Sequence, residues 1–255
     1  MSRLVSNHLE YDENKLYTRL LAQFEVLGMT ESIKAITFAR KKHAGAIRES
    51  SGQAYIVHPL QMASIAIAMG LKDDNLIAVI ILHDIIEDTE TSLSDLPVND
   101  QVKHGVKLMT TKQLDGESKS QTKVRYFMEL KDDKNAIICK ALDRFVNLAT
   151  MAGEFSTEKI KKNVIETDQL LLPILREAKD LYPELTPTLY LLRVMIRSVN
   201  ETLANAYGVE LKGEQLYGGN ATYDLLFGEV SPSGKLAETW VKEYADIPFG
   251  DTFGK

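Results

Sequence analysis

From about Tyr11 to Gly208, apolar residues recur at intervals of three and four rather than two, and prolines and glycines collect at the joints between such runs. The pattern predicts an all-α fold and no strand. Thr30 is placed to cap a helix through ESIKAITFARKKHA that ends at Gly45. The loop IRESSGQAYIV follows. Pro59 then suits the first turn of HPLQMASIAIAMG, where its missing N–H costs nothing, and Gly70 closes that helix. Asp73 or Asp74 starts the next helix, which continues through ILHDIIEDTE. Further helices are predicted over about Asp100–Met109, Gln121–Leu130, Lys134–Met151, Thr157–Leu181 with a kink at Pro173, and Thr186–Tyr207. After Gly208 helical periodicity gives way to glycine-rich sequence. Residues 1–210 therefore read as one helical domain and 211–255 as a short irregular C-terminal extension of unknown role.

In the run Ile81–Glu90, one histidine and four acids are set among aliphatic residues. On a continuous helix His83, Asp84, Glu87 and Asp88 fall at about 0°, 100°, 40° and 140°, on one face. Ile81, Leu82, Ile85 and Ile86 take the complementary arc. A charge run ordinarily marks a solvated face, but such a face mixes acids with Lys or Arg at four-residue spacing, and this one carries no base. An adjacent His and Asp can offer a divalent cation one nitrogen and one oxygen. Two ligands do not complete a site.

The chain has five histidines, His8, His43, His58, His83 and His104. His58 precedes Pro59 at a loop-to-helix junction that would aim its ring. His43 follows Arg40, Lys41 and Lys42, a poor setting for a cation ligand, and reads as a packed or surface histidine. His8 and His104 lie in polar surroundings and take no role. Asp143 interrupts the aliphatic helix AIICKALDRFVNLATM, with Asn147 one turn later; a carboxylate there needs a partner, either a cation from the protein or a metal.

Composition narrows the setting. The chain of 255 residues is 44% hydrophobic and 26% charged, ordinary for a globular protein. A net charge of −6 argues against binding nucleic acid by bulk electrostatics. The single cysteine, Cys139, excludes an intrachain disulfide and a Cys-rich zinc site and favours a reducing, cytoplasmic location. No stretch approaches the roughly 20 apolar residues of a membrane span, and the N-terminus lacks a signal-peptide core.

HPLQMASIAIAMG, LHDIIEDTETSLSDL and KALDRFVNLATM, in that order and preceded by YIVHP, resemble the HD-domain hydrolases of the RelA/SpoT type, including the small stand-alone alarmone hydrolases. The resemblance covers about residues 31–180. It implies an HD-domain helical bundle that removes the 3′-pyrophosphate of guanosine tetra- or pentaphosphate, giving GDP or GTP and pyrophosphate, with one Mn²⁺ per site. By matching residue to residue, it makes His58, His83, Asp84 and Asp143 the metal ligands and Glu87 and Asp88 the acids that activate the attacking water. Arg48 matches the base-contacting arginine and Asn147 a residue near the nucleoside. Lys140, together with Arg40, Lys41 and Lys42, is a candidate phosphate contact. The family loop, close to R-K-S-G-E-P-Y, here reads RESSGQAY: one residue longer, with Glu49 where lysine is common and Ala54 in place of proline. That change bears on purine preference and pyrophosphate affinity.

The implied partner is a small nucleotide, not nucleic acid or a membrane; no synthetase activity is expected, and oligomeric state is not readable. The alternatives keep the metal site for another nucleotide, an adenosine alarmone or NADPH, or make the chain a sensor that binds an alarmone without hydrolysing it. Residues 218–250, around LFGEVSPSGKL, resemble the C-terminal region of family 3 glycoside hydrolases; none of that family's catalytic carboxylates can be placed, so no glycosidase activity is expected, and Phe227 and Trp240 are candidates for docking the extension.

Overall fold

The computed structural model of the chain describes residues 12–48, 52–153 and 155–211. The segments with three-and-four spacing are helices: α1 Glu13–Leu27, α2 Thr30–Lys42, α3 Val57–Ala68, α4 Asp74–Leu82, the single turn α5 Ile85–Asp88, α6 Asp100–Met109, α7 Lys119–Lys131, α8 Lys134–Thr150, α9 Thr157–Glu166, α10 Leu172–Leu181 and α11 Thr186–Tyr207. No strand occurs among the described residues; one antiparallel bridge joins Ile47 to Ala54. The fold is all-α. The extension from residue 212 onward, with Phe227 and Trp240, lies outside the described residues, as does His8.

Short polar side chains set many of the helix starts. Asp73, Asn99, Ser118 and Ser156 each accept a hydrogen bond from the backbone N–H three residues on, and Asp133 caps α8 through the N–H groups of Asn135 and Ala136. Thr30 does not cap α2. It is the first helical residue, behind Met29, and the free N–H groups of Glu31 and Ser32 are instead taken by the Asp74 carboxylate at 2.9 and 2.8 Å. An anion from α4 thus sits at the positive end of α2 and fastens the two helices together. Pro59 is the third residue of α3, not the first; it still lies among the initial N–H groups that have no helical partner, so the ring is tolerated.

The helix through Thr157–Leu181 is interrupted by a π-helical turn over Thr167–Leu171, just before Pro173. Proline cannot donate to the carbonyl four residues back, and the wider turn absorbs that loss. Asn200 on α11 donates from Nδ2 to the Val164 carbonyl at 3.1 Å and ties α11 to α9.

Residues Leu76–Leu82 of α4 are buried all the way round, which is the signature of an interior helix. α2, α3, α6 and α8 pack against it. Gly105 of α6 makes the approach close: a Cβ there would stand 2.6 Å from Val79 Cγ2. Most of α8 is buried too, against α3, α4, α6, α7 and α11. These two interior helices bring the ionisable residues to one place. α4 ends at His83 and Asp84, while Asp143 lies within α8.

The continuous helix expected through ILHDIIEDTE does not form. α4 stops at Leu82, His83 and Asp84 make a turn with Asp84 at φ −99° and ψ −1°, and α5 supplies one further turn. On an unbroken helix Asp84 would point about 100° away from His83. The turn instead folds its carboxylate back towards the histidine ring.

Candidate metal centre

His58, in the first turn of α3, has both ring nitrogens buried without a hydrogen-bond partner, as does Nε2 of His83. Buried polar atoms are costly to leave unpaired, so their arrangement has to be accounted for. His83 Nδ1 lies 2.9 Å from the Ile80 carbonyl, which can only accept; Nδ1 therefore carries a proton and Nε2 is the nitrogen that faces the carboxylates. Asp84 Oδ2 stands 2.9 Å from that Nε2. Asp143 Oδ1 is 3.3 Å from His58 Nε2 and 3.8 Å from His83 Nε2. Ligand atoms of His58, His83 and Asp84 lie within 4.8 Å of one another, near the spread of donors around one ion at about 2.1 Å. The ring nitrogens and the two carboxylates crowd one point, His83 against Asp84 and His58 against Asp143, and two imidazoles with two carboxylates suit a divalent first-row metal. The residues fit such an ion.

The supports are as specific. Asp143 is held from outside by Lys140, whose Nζ donates to Oδ2 at 2.8 Å, and by Asn147, whose Nδ2 donates to Oδ1 at 2.5 Å. Asn147 in turn accepts from Arg48 at 3.3 Å, so the loop before α3 is tied to α8. Tyr55 donates its hydroxyl to Asp84 Oδ2 at 3.1 Å, and its ring stacks on buried His43 with centroids 4.8 Å apart. Glu87 and Asp88 are adjacent on α5 and exposed. Glu87 Oε1 accepts from the Thr111 N–H at 2.7 Å, while Asp88 bears on the Tyr55 hydroxyl.

Charge in the cluster follows from this geometry. Burial pulls the His83 pKa down, but the carboxylates of Asp84 and Asp143 and the Ile80 carbonyl reverse that and raise it to about 9. Burial works against an ionised Asp84 as well, yet the His83 ring holds it down to about 2. Asp143, despite burial, is kept well below the usual carboxylate range by Lys140 and both histidines. Burial lowers His58 and His43. Burial and the facing carboxylates of Asp84 and Asp88 push the Tyr55 phenol far up, so it stays a proton donor.

A family model described as HD domain matches residues 35–174, more than half of the chain and the span that holds all four converging side chains. The chain belongs to the HD-domain family. It is 29% identical over 180 residues to a guanosine-3′,5′-bis(diphosphate) 3′-pyrophosphohydrolase of Aquifex aeolicus, covering 68% of this chain and 24% of that protein. It is 32% identical over 148 residues to the bifunctional (p)ppGpp synthase/hydrolase SpoT of Escherichia coli, 55% of this chain and 21% of the relative. A probable GTP pyrophosphokinase of Mycobacterium leprae is 30% identical over 146 residues, 55% of this chain and 18% of the relative. The chain thus spans about a fifth to a quarter of these curated relatives.

The structure places His83 and Asp84 beside His58 and Asp143, the four residues that the resemblance names as metal ligands. Of the cations named as phosphate contacts, Arg40 lies against Tyr17 of α1, 4.1 Å from the ring centroid, and Lys42 over Phe38. Lys140 is committed to Asp143. Arg48 reaches Asn147, the other residue that holds Asp143. His104 is exposed beside Asp133. Tyr55 was not named from the sequence; it lies three residues before His58 in YIVHP, the signal that could have found it. His43 is the packed histidine of the two readings given for it, buried against the Tyr55 ring.

Proposed function

We propose that the chain is a metal-dependent pyrophosphohydrolase that removes the 3′-pyrophosphate of guanosine tetra- or pentaphosphate and uses Mn²⁺. The observation that carries this reading is the convergence of the buried imidazole nitrogens of His58 and His83 with the carboxylates of Asp84 and Asp143. Homology to (p)ppGpp hydrolases over more than half the chain supports an alarmone-related substrate. His58, His83, Asp84 and Asp143 would hold the ion. When bound, it supplies Lewis acidity, which acidifies water and offsets charge on a phosphoryl oxygen. Glu87 and Asp88 receive the proton that water gives up as its oxygen attacks the phosphorus nearest the ribose; the P–O3′ bond breaks, the ribose oxygen takes up a proton, and pyrophosphate leaves. The Glu87 carboxylate is anchored on the Thr111 N–H for this, and general-base help of this kind is worth about 10² to 10⁴ in rate. The planar Arg48 guanidinium can stack on the purine, Asn147 lies beside it, and Lys140 acts on substrate through Asp143, which it holds in place.

A panel of nucleotides tests the reading: guanosine tetraphosphate, an adenosine alarmone and NADPH, each with Mn²⁺, with pyrophosphate and orthophosphate measured separately. Guanosine tetraphosphate should yield GDP and pyrophosphate. Release from another nucleotide alone overturns the substrate, and tight binding with no turnover in saturating Mn²⁺ overturns the hydrolase.

A further inference from the structure

We propose that Tyr55 is a positioning residue of the metal centre, its hydroxyl holding the Asp84 carboxylate in the orientation a metal requires. The inference rests on the metal reading of the same four side chains and not on the identity of the nucleotide. Asp84 joins α4 to α5 with φ −99° and ψ −1°, off the regular helical values. A carboxylate on such a turn can rotate, and either oxygen could swing to solvent. Tyr55 selects one: Oδ2, which also stands 2.9 Å from His83 Nε2, accepts the Tyr55 hydroxyl at 3.1 Å. A carboxylate oxygen has two lone pairs, so it can take this hydrogen bond and still face a cation.

Tyr55 is itself fixed on three sides. Its N–H donates to the Ala46 carbonyl at 2.9 Å, its own carbonyl accepts from the His58 N–H at 3.1 Å, and its ring lies on His43 at an interplanar angle of 25°. The residue therefore joins the loop before α3 to two ligands at once: His58 through the backbone and Asp84 through the hydroxyl. The same arrangement accounts for His43, a buried histidine that is not part of the ligand cluster. It is the floor on which the tyrosine ring rests. Outer partners that orient metal ligands typically matter by about 10- to 100-fold in metal affinity.

The test is Mn²⁺ affinity of the EDTA-treated full chain, measured by titration calorimetry, for the wild type, Tyr55→Phe, Tyr55→Leu and His43→Phe. Tyr55→Phe keeps the stacked ring, so its metal-free melting temperature should match the wild type while Mn²⁺ binding weakens about 10- to 100-fold. His43→Phe keeps both the stack and the hydroxyl and should retain wild-type affinity. Unchanged affinity in Tyr55→Phe, with loss confined to Tyr55→Leu, would assign the effect to ring packing and overturn the proposal. So would a loss in His43→Phe equal to that in Tyr55→Phe. Because the probe is the metal alone, a wild type that binds Mn²⁺ but hydrolyses no nucleotide defeats the proposed function and leaves this comparison intact.

Discussion

Two carboxylates only three residues apart, Asp84 and Glu87, have different surroundings. Asp84 is folded against His83 Nε2, whereas Glu87 is exposed and accepts from the Thr111 backbone N–H. Asp84→Ala should abolish Mn²⁺ binding, while Glu87→Gln, which keeps the acceptor oxygen for Thr111, should bind Mn²⁺ normally and lose about 10²- to 10⁴-fold in turnover. Calorimetry beside steady-state rates checks this, and equal metal loss in both variants would sink the division of roles. His83 carries the pH dependence. Its pKa in the folded, metal-free protein is raised from 6.5 to about 9. The protonated ring therefore contributes stability that is fully present below pH 6.5 and lost as pH rises through about 9. Urea midpoints of the metal-free protein should show this contribution declining over that window. A metal competes with the same proton, so Mn²⁺ affinity should climb over the window and binding at neutral pH should release about one proton. Titrations in buffers of differing ionisation enthalpy count it.

At the scale of elements, much was legible. Asp100–Met109 and Thr186–Tyr207 run as their apolar spacing predicted, because Asn99 caps the first and Gly208, at φ 63°, ends the second. The break at His83–Asp84 was not legible: periodicity reports which positions are apolar, and it is silent about a carboxylate that turns back onto its neighbour. The capping of α2 by Asp74 was hidden for a related reason, since the partner is 43 residues away in sequence from Glu31. Asp74→Ala should cost about 0.5–2 kcal/mol, the range for a lost N-cap, seen as a lower urea midpoint. Gly105→Ala should be more disruptive than an ordinary helix substitution. Alanine is the better helix former, but its Cβ would meet Val79 Cγ2 at 2.6 Å, and overpacking costs about 1–3 kcal/mol. Val79→Ala in the same chain should restore part of the loss; no restoration in the double variant would refute the contact as the cause.

For the whole molecule, the proposed ligands come from three places, His58 lying 25 residues before His83 and Asp143 60 after it. An ion held by all of them would tie α3, the end of α4 and α8 into one unit. Since the unfolded chain does not assemble this set, metal binding adds to folding stability, by about 2.7 kcal/mol at a hundredfold excess over Kd. EDTA should lower the melting temperature of the wild type and leave Asp84→Ala unaffected. The four converging side chains were named at this scale from their match to family motifs; the Tyr55 contact to Asp84 was not readable, because a hydroxyl contact leaves no periodic trace.

The enclosure of α4 has a consequence for how this protein tolerates change. His83 and Asp84 are carried at the tip of a helix whose every residue from Leu76 to Leu82 is packed on all sides, so the alignment of that tip is set by aliphatic volume several residues away. A random-mutation screen for inactive but soluble variants should therefore return conservative changes at Ile77, Ile80 and Ile81 alongside the polar residues, and evolutionary drift in this helix should be confined to exchanges that keep its girth.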